Sequence, residues 1–229
     1  MVRNKPVFYR EAAYFVGILL LSLSSALMEK SDFGLSMVIA PAYILHLKIA
    51  EFLPWFSFGM AAYTVQFLII CILWIIMKRF IPKYLFSFAT AVFYGFLLDF
   101  WVMVLSYIPP ISIPVRIVFF VVGMVVCSLG VALIFHTYFP PEAYELFVKE
   151  VSEKFNFDVG RCKTCYDISS CLIAILLSFL LFGFPNLKGV HVGTVICALL
   201  NGFIIGAFSK LLDRLFEFKD SLPLRKIFE

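Results

Sequence analysis

The chain has 229 residues, of which 62% are hydrophobic and only 15% are charged, and its formal net charge is +4. Soluble domains carry about 25% charged residues, so this composition excludes a soluble globular domain and predicts an integral membrane protein. The basic residues lie between apolar stretches instead of forming a patch, which argues against binding to nucleic acid.

Six apolar stretches are long enough to cross a bilayer, because a membrane-spanning helix needs about 20 mostly apolar residues. They are predicted at residues 12–28, 57–77, 84–106, 116–136, 164–183 and 190–210. The first stretch follows Arg3, Lys5 and Arg10, as the apolar part of a signal peptide would, but the sequence SLSSALMEK is a poor cleavage site. We therefore expect an uncleaved first helix.

Two further segments are too short to cross. Residues 35–47 carry no formal charge, and their length suits a re-entrant piece in which a helix must begin or kink at Pro41. A loop lying flat on the bilayer is the alternative. Residues 143–155 predict an amphipathic helix on the inner surface, with an apolar stripe of Ala143, Phe147, Val151 and Phe155.

The two halves of the chain resemble each other. The line VGILLLSLSSAL from Val16 and the line VGMVVCSLGVAL from Val122 match at six of twelve positions, at an offset of 106 residues. Each line is followed by a short segment and two spans, and YGF at Tyr94 matches NGF at Asn201 at an offset of 107. Each half has three spans, which is an odd number. The second half must therefore be inverted in the membrane relative to the first, as in many secondary transporters.

These patterns predict one all-α integral membrane domain with six transmembrane helices. It would consist of two inverted three-helix repeats, residues 1–106 and 107–212, each with a short re-entrant or interfacial helix, followed by a cytoplasmic tail at 213–229. Nothing in the sequence separates a second domain.

The distribution of Lys and Arg predicts the orientation. If the N-terminus is inside, fifteen of the 19 basic residues lie in inner segments, and four lie in outer segments: Lys30, Lys48, Arg116 and Lys188. Cytoplasmic segments carry the excess of Lys and Arg, so both termini should be cytoplasmic.

Polar side chains within the spans are the candidate binding residues, because a charged group in the bilayer centre costs about 2.5–3.5 kcal/mol on insertion scales and usually faces a cavity or a partner. Asp99 is the sharpest candidate, and it could either face a hydrated cavity or pair with Arg116 at the same depth. Asp167 reads more readily as a helix-start residue at the interface, and Gln66 and Asn201 as hydrogen bonds between helices.

The remaining motifs carry little chemistry. Cys162 and Cys165 in CKTC have a redox or zinc spacing, but a cytoplasmic position disfavours disulfides, and no second pair of ligands follows. No Walker A, GxSxG or HExxH pattern is present. We therefore expect no enzyme activity, no metal and no cofactor.

Four strings occur in the order found in a known family: DFGLSMVIAPAYILHLK, FSFGMAAYTVQ, YLFSFATAVFYGFLLDF and GVHVGTVICALLNGFIIG. Together they resemble the YitT/YczE-type bacterial inner-membrane proteins. The resemblance implies a six-span protein of the bacterial inner membrane and carries over no catalytic residue. Its landmarks add His191 and Thr194 in GVHVGT, and Glu142 in FPPEAY, to the candidate residues.

The expected function is a small-solute transporter with a central polar site between the two repeats. The candidate substrate-binding residues are Asp99, Gln66, Asn201, Asp167, Arg116, His191 and Thr194. The alternative is a scaffold or assembly factor that binds another membrane protein or a second copy of itself. A transporter should hold Asp99, Gln66 or Asn201 in a water-accessible cavity, whereas a scaffold should pack them and leave a large apolar surface.

Overall fold

The computed structural model describes residues 5–82, 84–157, 159–183, 188–223 and 225. Within these residues the chain forms eight α-helices and two short strands. In chain order they are β1 (Val7–Tyr9), α1 (Arg10–Ser31), α2 (Ala40–Ile49), α3 (Phe58–Met77), α4 (Tyr84–Ser106), α5 (Ile113–Phe135), α6 (Ala143–Phe155), α7 (Val159–Phe182), α8 (Val192–Leu215) and β2 (Glu217–Lys219).

Six of these helices are 20 to 24 residues long and apolar enough to cross a membrane: α1, α3, α4, α5, α7 and α8. The predicted all-α class with six membrane spans is therefore confirmed. The largest differences in boundaries lie at the start of α7, which begins at Val159 instead of residue 164, and at the end of α8, which continues to Leu215 instead of ending at residue 210. Hydropathy falls at Lys210, but the backbone continues its helical hydrogen bonds through the charged turn.

The repeated lines that begin at Val16 and Val122 form the contact between α1 and α5, which pack along each other in opposite directions. A Cβ built on Gly17 would lie 2.7 Å from Cγ1 of Ile134, and one built on Gly123 would lie 3.0 Å from Cγ of Met28. Small residues allow such close helix approach within a membrane. The recurring glycine is therefore explained by packing at the centre of the bundle.

The other helices exchange partners between the two halves. Helix α1 packs on α4, as α5 packs on α8; α2 lies against α3 and α7, and α6 lies against α7 and α3. A two-fold relation between the halves would produce these pairings, although the inverted repeat itself stays a prediction. The arrangement is uneven at one point, because α3 and α4 pack closely whereas α7 and α8 barely touch.

The two ends of the chain meet on one side of the bundle. Strands β1 and β2 pair in parallel, with Phe8 opposite Phe218. The carboxylate of Glu11 accepts hydrogen bonds from the Tyr138 hydroxyl at 2.6 Å and from the backbone N–H of Ser221 at 3.0 Å. The two ends must therefore lie on the same side of the membrane.

A reporter that is active only in the periplasm tests which side that is. Fusion to Glu229 should give no activity, because the bias of Lys and Arg predicts that this end lies in the cytoplasm. A matched fusion after Ile111, between α4 and α5, should be active. Strong activity at Glu229 would contradict the predicted orientation.

Candidate functional site

The chain turns back into the bundle after α1, and residues 32–49 form the first re-entrant segment. The carbonyl oxygen of Phe33 accepts from the N–H of Gly193 at 2.9 Å, at the start of α8. The carbonyl of Met37 then accepts from the Ser170 hydroxyl at 2.8 Å, near the middle of α7. Helix α2 begins three residues later at Ala40, so its first turn lies inside the bundle.

Helix α2 returns to the side that the segment entered from. Pro41 lies in its first turn, as the sequence predicts, and is buried. Toward its other end the Nδ1 atom of His46 lies 2.8 Å from the carbonyl oxygen of Phe56, just before α3 begins. This segment is therefore re-entrant, and it does not lie flat on the surface.

Residues 136–155 form the second re-entrant segment, which enters from the opposite side. Tyr138 lies beside Glu11 at the start of α1, and Glu142 lies beside Gln66, the ninth residue of α3. Helix α6 then returns, and the Lys154 amine donates to a carbonyl in the last turn of α3. The expectation that α6 lies on the inner surface is therefore wrong: its first turn is buried against α3.

Glu142 and Gln66 form the most deeply buried hydrogen-bonded polar pair of the second segment. The Gln66 amide nitrogen donates to Oε2 of Glu142 at 3.0 Å, and its Oε1 accepts from the N–H of Ala143 at 3.0 Å. Gln66 is 0% exposed and Glu142 is 8% exposed. Gln66 thus satisfies one of the free N–H groups at the start of α6 and holds the carboxyl group in place.

Hydroxyl groups surround this pair. Tyr94 shares a 2.7 Å hydrogen bond with Ser25, and Tyr14 shares one of 2.6 Å with Thr90. Tyr144 is 3% exposed, and its hydroxyl has no partner among the described residues. These side chains come from α1, α4 and α6, so three helices contribute polar groups to one interior region.

Burial dominates the electrostatics of Glu142. Removal from water raises the pKa of Glu142 to about 8, and the nearby Glu145 carboxylate raises it further, whereas Gln66 and Lys163 oppose the shift. Lys163 binds Glu145 at 2.8 Å and Asp167 at 3.2 Å, so its charge is already compensated. At neutral pH, Glu142 is therefore largely a neutral acid.

The stability of the protein should fall as pH rises from about 4.5 to about 8. Across this range the folded state keeps a proton on Glu142 that the unfolded state has lost, so raising the pH favours unfolding. The slope should reach about 1.4 kcal/mol per pH unit. Denaturant unfolding in detergent at several pH values measures it, and Glu142→Gln is the control, which should be flatter. Parallel curves for the two proteins would contradict the assignment.

The structure gives Asp99 partners other than Arg116. Its carboxylate accepts from the Ser57 hydroxyl at 2.6 Å and from the N–H of Gly59 at 2.7 Å, and so caps the first turn of α3. Arg116 instead binds Asp32, at 2.7 Å. The Asp99–Arg116 pair considered from the sequence is therefore wrong, because α3 begins beside Asp99.

Asp99→Asn should lower the free energy of unfolding by about 1–2 kcal/mol, because the carboxylate is the stronger acceptor at a helix N-terminus. Thermal unfolding in detergent measures the change. Glu51→Gln removes an exposed carboxylate just after the first re-entrant segment and should have little effect. Equal losses in both variants would contradict the capping role.

Two other predicted residues meet at the start of the first re-entrant segment. Arg116 donates to the carbonyl of Ser31 at 2.7 Å as well as to Asp32, and Nε2 of His191 lies 3.8 Å from the same aspartate. Asp32 is the first residue of the segment and has φ of 54°. Arg116 and His191 therefore contact the first residue of this segment and lie apart from Glu142.

Thr194 and Asn201 lie on the buried face of α8. They are 0% and 5% exposed, and among the described residues Oγ1 of Thr194 and Oδ1 of Asn201 have no hydrogen-bond partner. At the offset of 107 they match Ser87 and Tyr94 on α4, which are both hydrogen-bonded. The second half thus carries polar positions that lack the partners found in the first half.

The structure brings Gln66 together with Glu142, a residue that sequence reasoning ranked low. Its signal was the string FPPEAY, in which two prolines precede an acid at the start of a helix. Asp167 lies in the Lys163 cluster between α6 and α7, near this pair. Cys162 and Cys165 are free thiols, and within the described residues no group of three or more His, Cys, Asp or Glu side chains could hold a metal ion.

Six apolar helices and two re-entrant segments define a multi-pass helical membrane protein whose surroundings are a lipid bilayer. The sequence model of a family of unknown function, DUF6198, matches residues 8–210, and the chain belongs to this family. Neither the search of curated proteins nor that of solved structures gives a match.

Proposed function

We propose that the protein is a small-solute transporter of the bacterial inner membrane, with its central site at Glu142 and Gln66. The observation that carries the proposal is the pair of re-entrant segments. They enter from opposite sides, and helices α2 and α6 each begin inside the bundle.

Such broken backbone is expensive at membrane depth and is tolerated where protein buries it or where it lines a water-filled cavity. Many secondary transporters place the N-termini of half-helices at a midplane site, where free N–H groups can meet a polar solute. In α2 no side chain caps the first turn, and Pro41 supplies no N–H. The N–H of Ala40 binds the carbonyl oxygen of Ser36, so the start of α2 has few free N–H groups, and the proposed site lies at Glu142 and Gln66 instead.

The exchanged helix partners support two inverted repeats around this site. In the proposed cycle the first re-entrant segment opens the site to one side and the second opens it to the other. The structure then represents a closed state, because Gln66 and Thr194 are both 0% exposed. The YitT/YczE resemblance and the cytoplasmic placement of both termini belong to the same proposal.

A scaffold is the second candidate function, and two observations favour it. Gln66 and Asn201 are packed, as a scaffold requires. Helices α7 and α8 also expose large apolar side chains, including Leu180 at 66%, Leu199 at 66% and Phe203 at 80%. A membrane-protein partner or a second copy could cover that surface.

Accessibility to water-soluble thiol reagents separates the two functions. In a variant without the six native cysteines, Ser87→Cys and Thr194→Cys each place a thiol beside one re-entrant segment with little change in size. A transporter should open and allow labelling at both positions. Ile70→Cys, also 0% exposed but within an apolar cluster, is the control and should stay unlabelled. Protection of all three positions would support the scaffold.

A further inference from the structure

The Glu142 carboxyl group occupies an unusual place for an acid. It lies at the first turn of a re-entrant helix, is 8% exposed and has one side-chain hydrogen bond, from Gln66. A structural carboxylate at such depth needs a cation or several hydrogen-bond donors beside it, and Gln66 supplies one side-chain donor. Lys163, the cation that acts on Glu142 electrostatically, is bound to Glu145 and Asp167.

The groups around Glu142 favour its neutral form. The titratable side chains within electrostatic reach are Tyr14 on α1, Tyr94 on α4, Cys127 on α5, Tyr144 and Glu145 on α6, and Lys163 on α7. Lys163 is the cation in this set, and two carboxylates balance it. Ionisation of Glu142 would therefore add a third carboxylate charge to a region that already has excess negative charge.

We propose that Glu142 is a proton-binding site, and that loss of its proton opens the site to water. The proposal rests on the transport function above and names its coupling ion as H⁺. In the closed state the neutral acid packs beside Gln66 and the tyrosines. When the proton leaves to water, the carboxylate requires hydration. The closed packing does not supply this hydration, so the population of the open state rises. Reprotonation from water on the other side closes the site again.

The size of the effect follows from linkage. If closed protein binds one more proton than open protein, the open fraction rises up to tenfold per pH unit until the closed state is also ionised. Burial raises the pKa of Glu142 to about 8, so the open fraction should rise as the pH increases toward about 8 and level off above it. Glu142→Gln keeps the shape of the neutral acid and should stay closed.

The test measures the labelling rate of Ser87→Cys with a membrane-impermeant maleimide between pH 6 and pH 9. A variant that retains Cys165 as its one thiol provides the reference, because Cys165 is exposed and its labelling corrects for ionisation of the thiol. We expect the corrected rate at Ser87→Cys to rise about tenfold or more across this range. With Glu142→Gln added, the rate should be low and independent of pH.

The outcomes separate the two proposals. Labelling that is fast but equally independent of pH with and without Glu142→Gln would overturn proton coupling and leave transport standing. Complete protection at every pH would overturn the transport function itself. Infrared spectra of the purified protein supply a second readout: a carboxylic-acid band that disappears near pH 8 and is missing in Glu142→Gln supports the proposal, and a band unaffected by Glu142→Gln overturns it.

Discussion

Gly59→Ala should destabilise the protein by about 3 kcal/mol or more, whereas Gly202→Ala should not. A Cβ on Gly59 would lie 2.1 Å from the carbonyl oxygen of Gly95 and 2.6 Å from Oδ2 of Asp99. Neither atom can move away at low cost, because the first belongs to the backbone of α4 and the second accepts a hydrogen bond from the Ser57 hydroxyl at the start of α3. Helices α3 and α4 would have to separate, with the loss of packing that overfilled contacts cause.

Gly202 is the matched control, because the sequence repeat aligns it with Gly95. A Cβ built on Gly202 meets no atom within 4 Å. Alanine there fills open space and restricts the unfolded chain, so stability should be unchanged or should rise by about 0.5–1 kcal/mol. Unfolding midpoints in detergent, together with the yield of folded protein, measure both variants. Similar stabilities would contradict the close packing of α3 on α4.

Gln66→Leu should cost about 2–5 kcal/mol although leucine fills nearly the same volume. The change leaves Glu142 and the N–H of Ala143 without their partner, and each buried group left unsatisfied costs about 1–3 kcal/mol. The start of α6 should loosen as a result. Denaturant unfolding gives the total loss, and hydrogen exchange at Ala143 reports the local one.

Two variants make this result specific. Thr64→Leu changes an exposed position on the same helix, where the hydroxyl donates to the backbone carbonyl one turn earlier. This change should have little effect. Gln66→Leu combined with Glu142→Leu removes both side chains, so the double variant should be more stable than the sum of the two single losses predicts. Strict additivity would show that the pair does not interact.

The sequence by itself determined the class and the number of spans. Hydropathy over about 20 residues is a local property, since each membrane helix satisfies its own backbone hydrogen bonds. The six spans therefore appear within a few residues of their predicted bounds. The uncharged segment with Pro41 was also visible as too short to cross, although the sequence left a surface loop equally open.

Only the tertiary structure decided which polar groups meet. Gln66 and Glu142 are 76 residues apart in sequence, and Asp99 and Ser57 are 42 apart. The hydropathy of a span predicts which residues are buried in membrane or protein. It does not predict which neighbouring helix contacts a polar side chain within that span. Asp99 lies in an apolar span and was the leading candidate for the central site. The start of α3 lies beside it, however, and both carboxylate oxygens accept hydrogen bonds from that end of the helix. Glu142 precedes a helix that the sequence predicts on the inner surface, yet the re-entrant path of the chain places it beside Gln66 in the middle of α3. A hydrogen bond acts over about 3 Å, so its partner is fixed by how the helices cross and where the chain turns back.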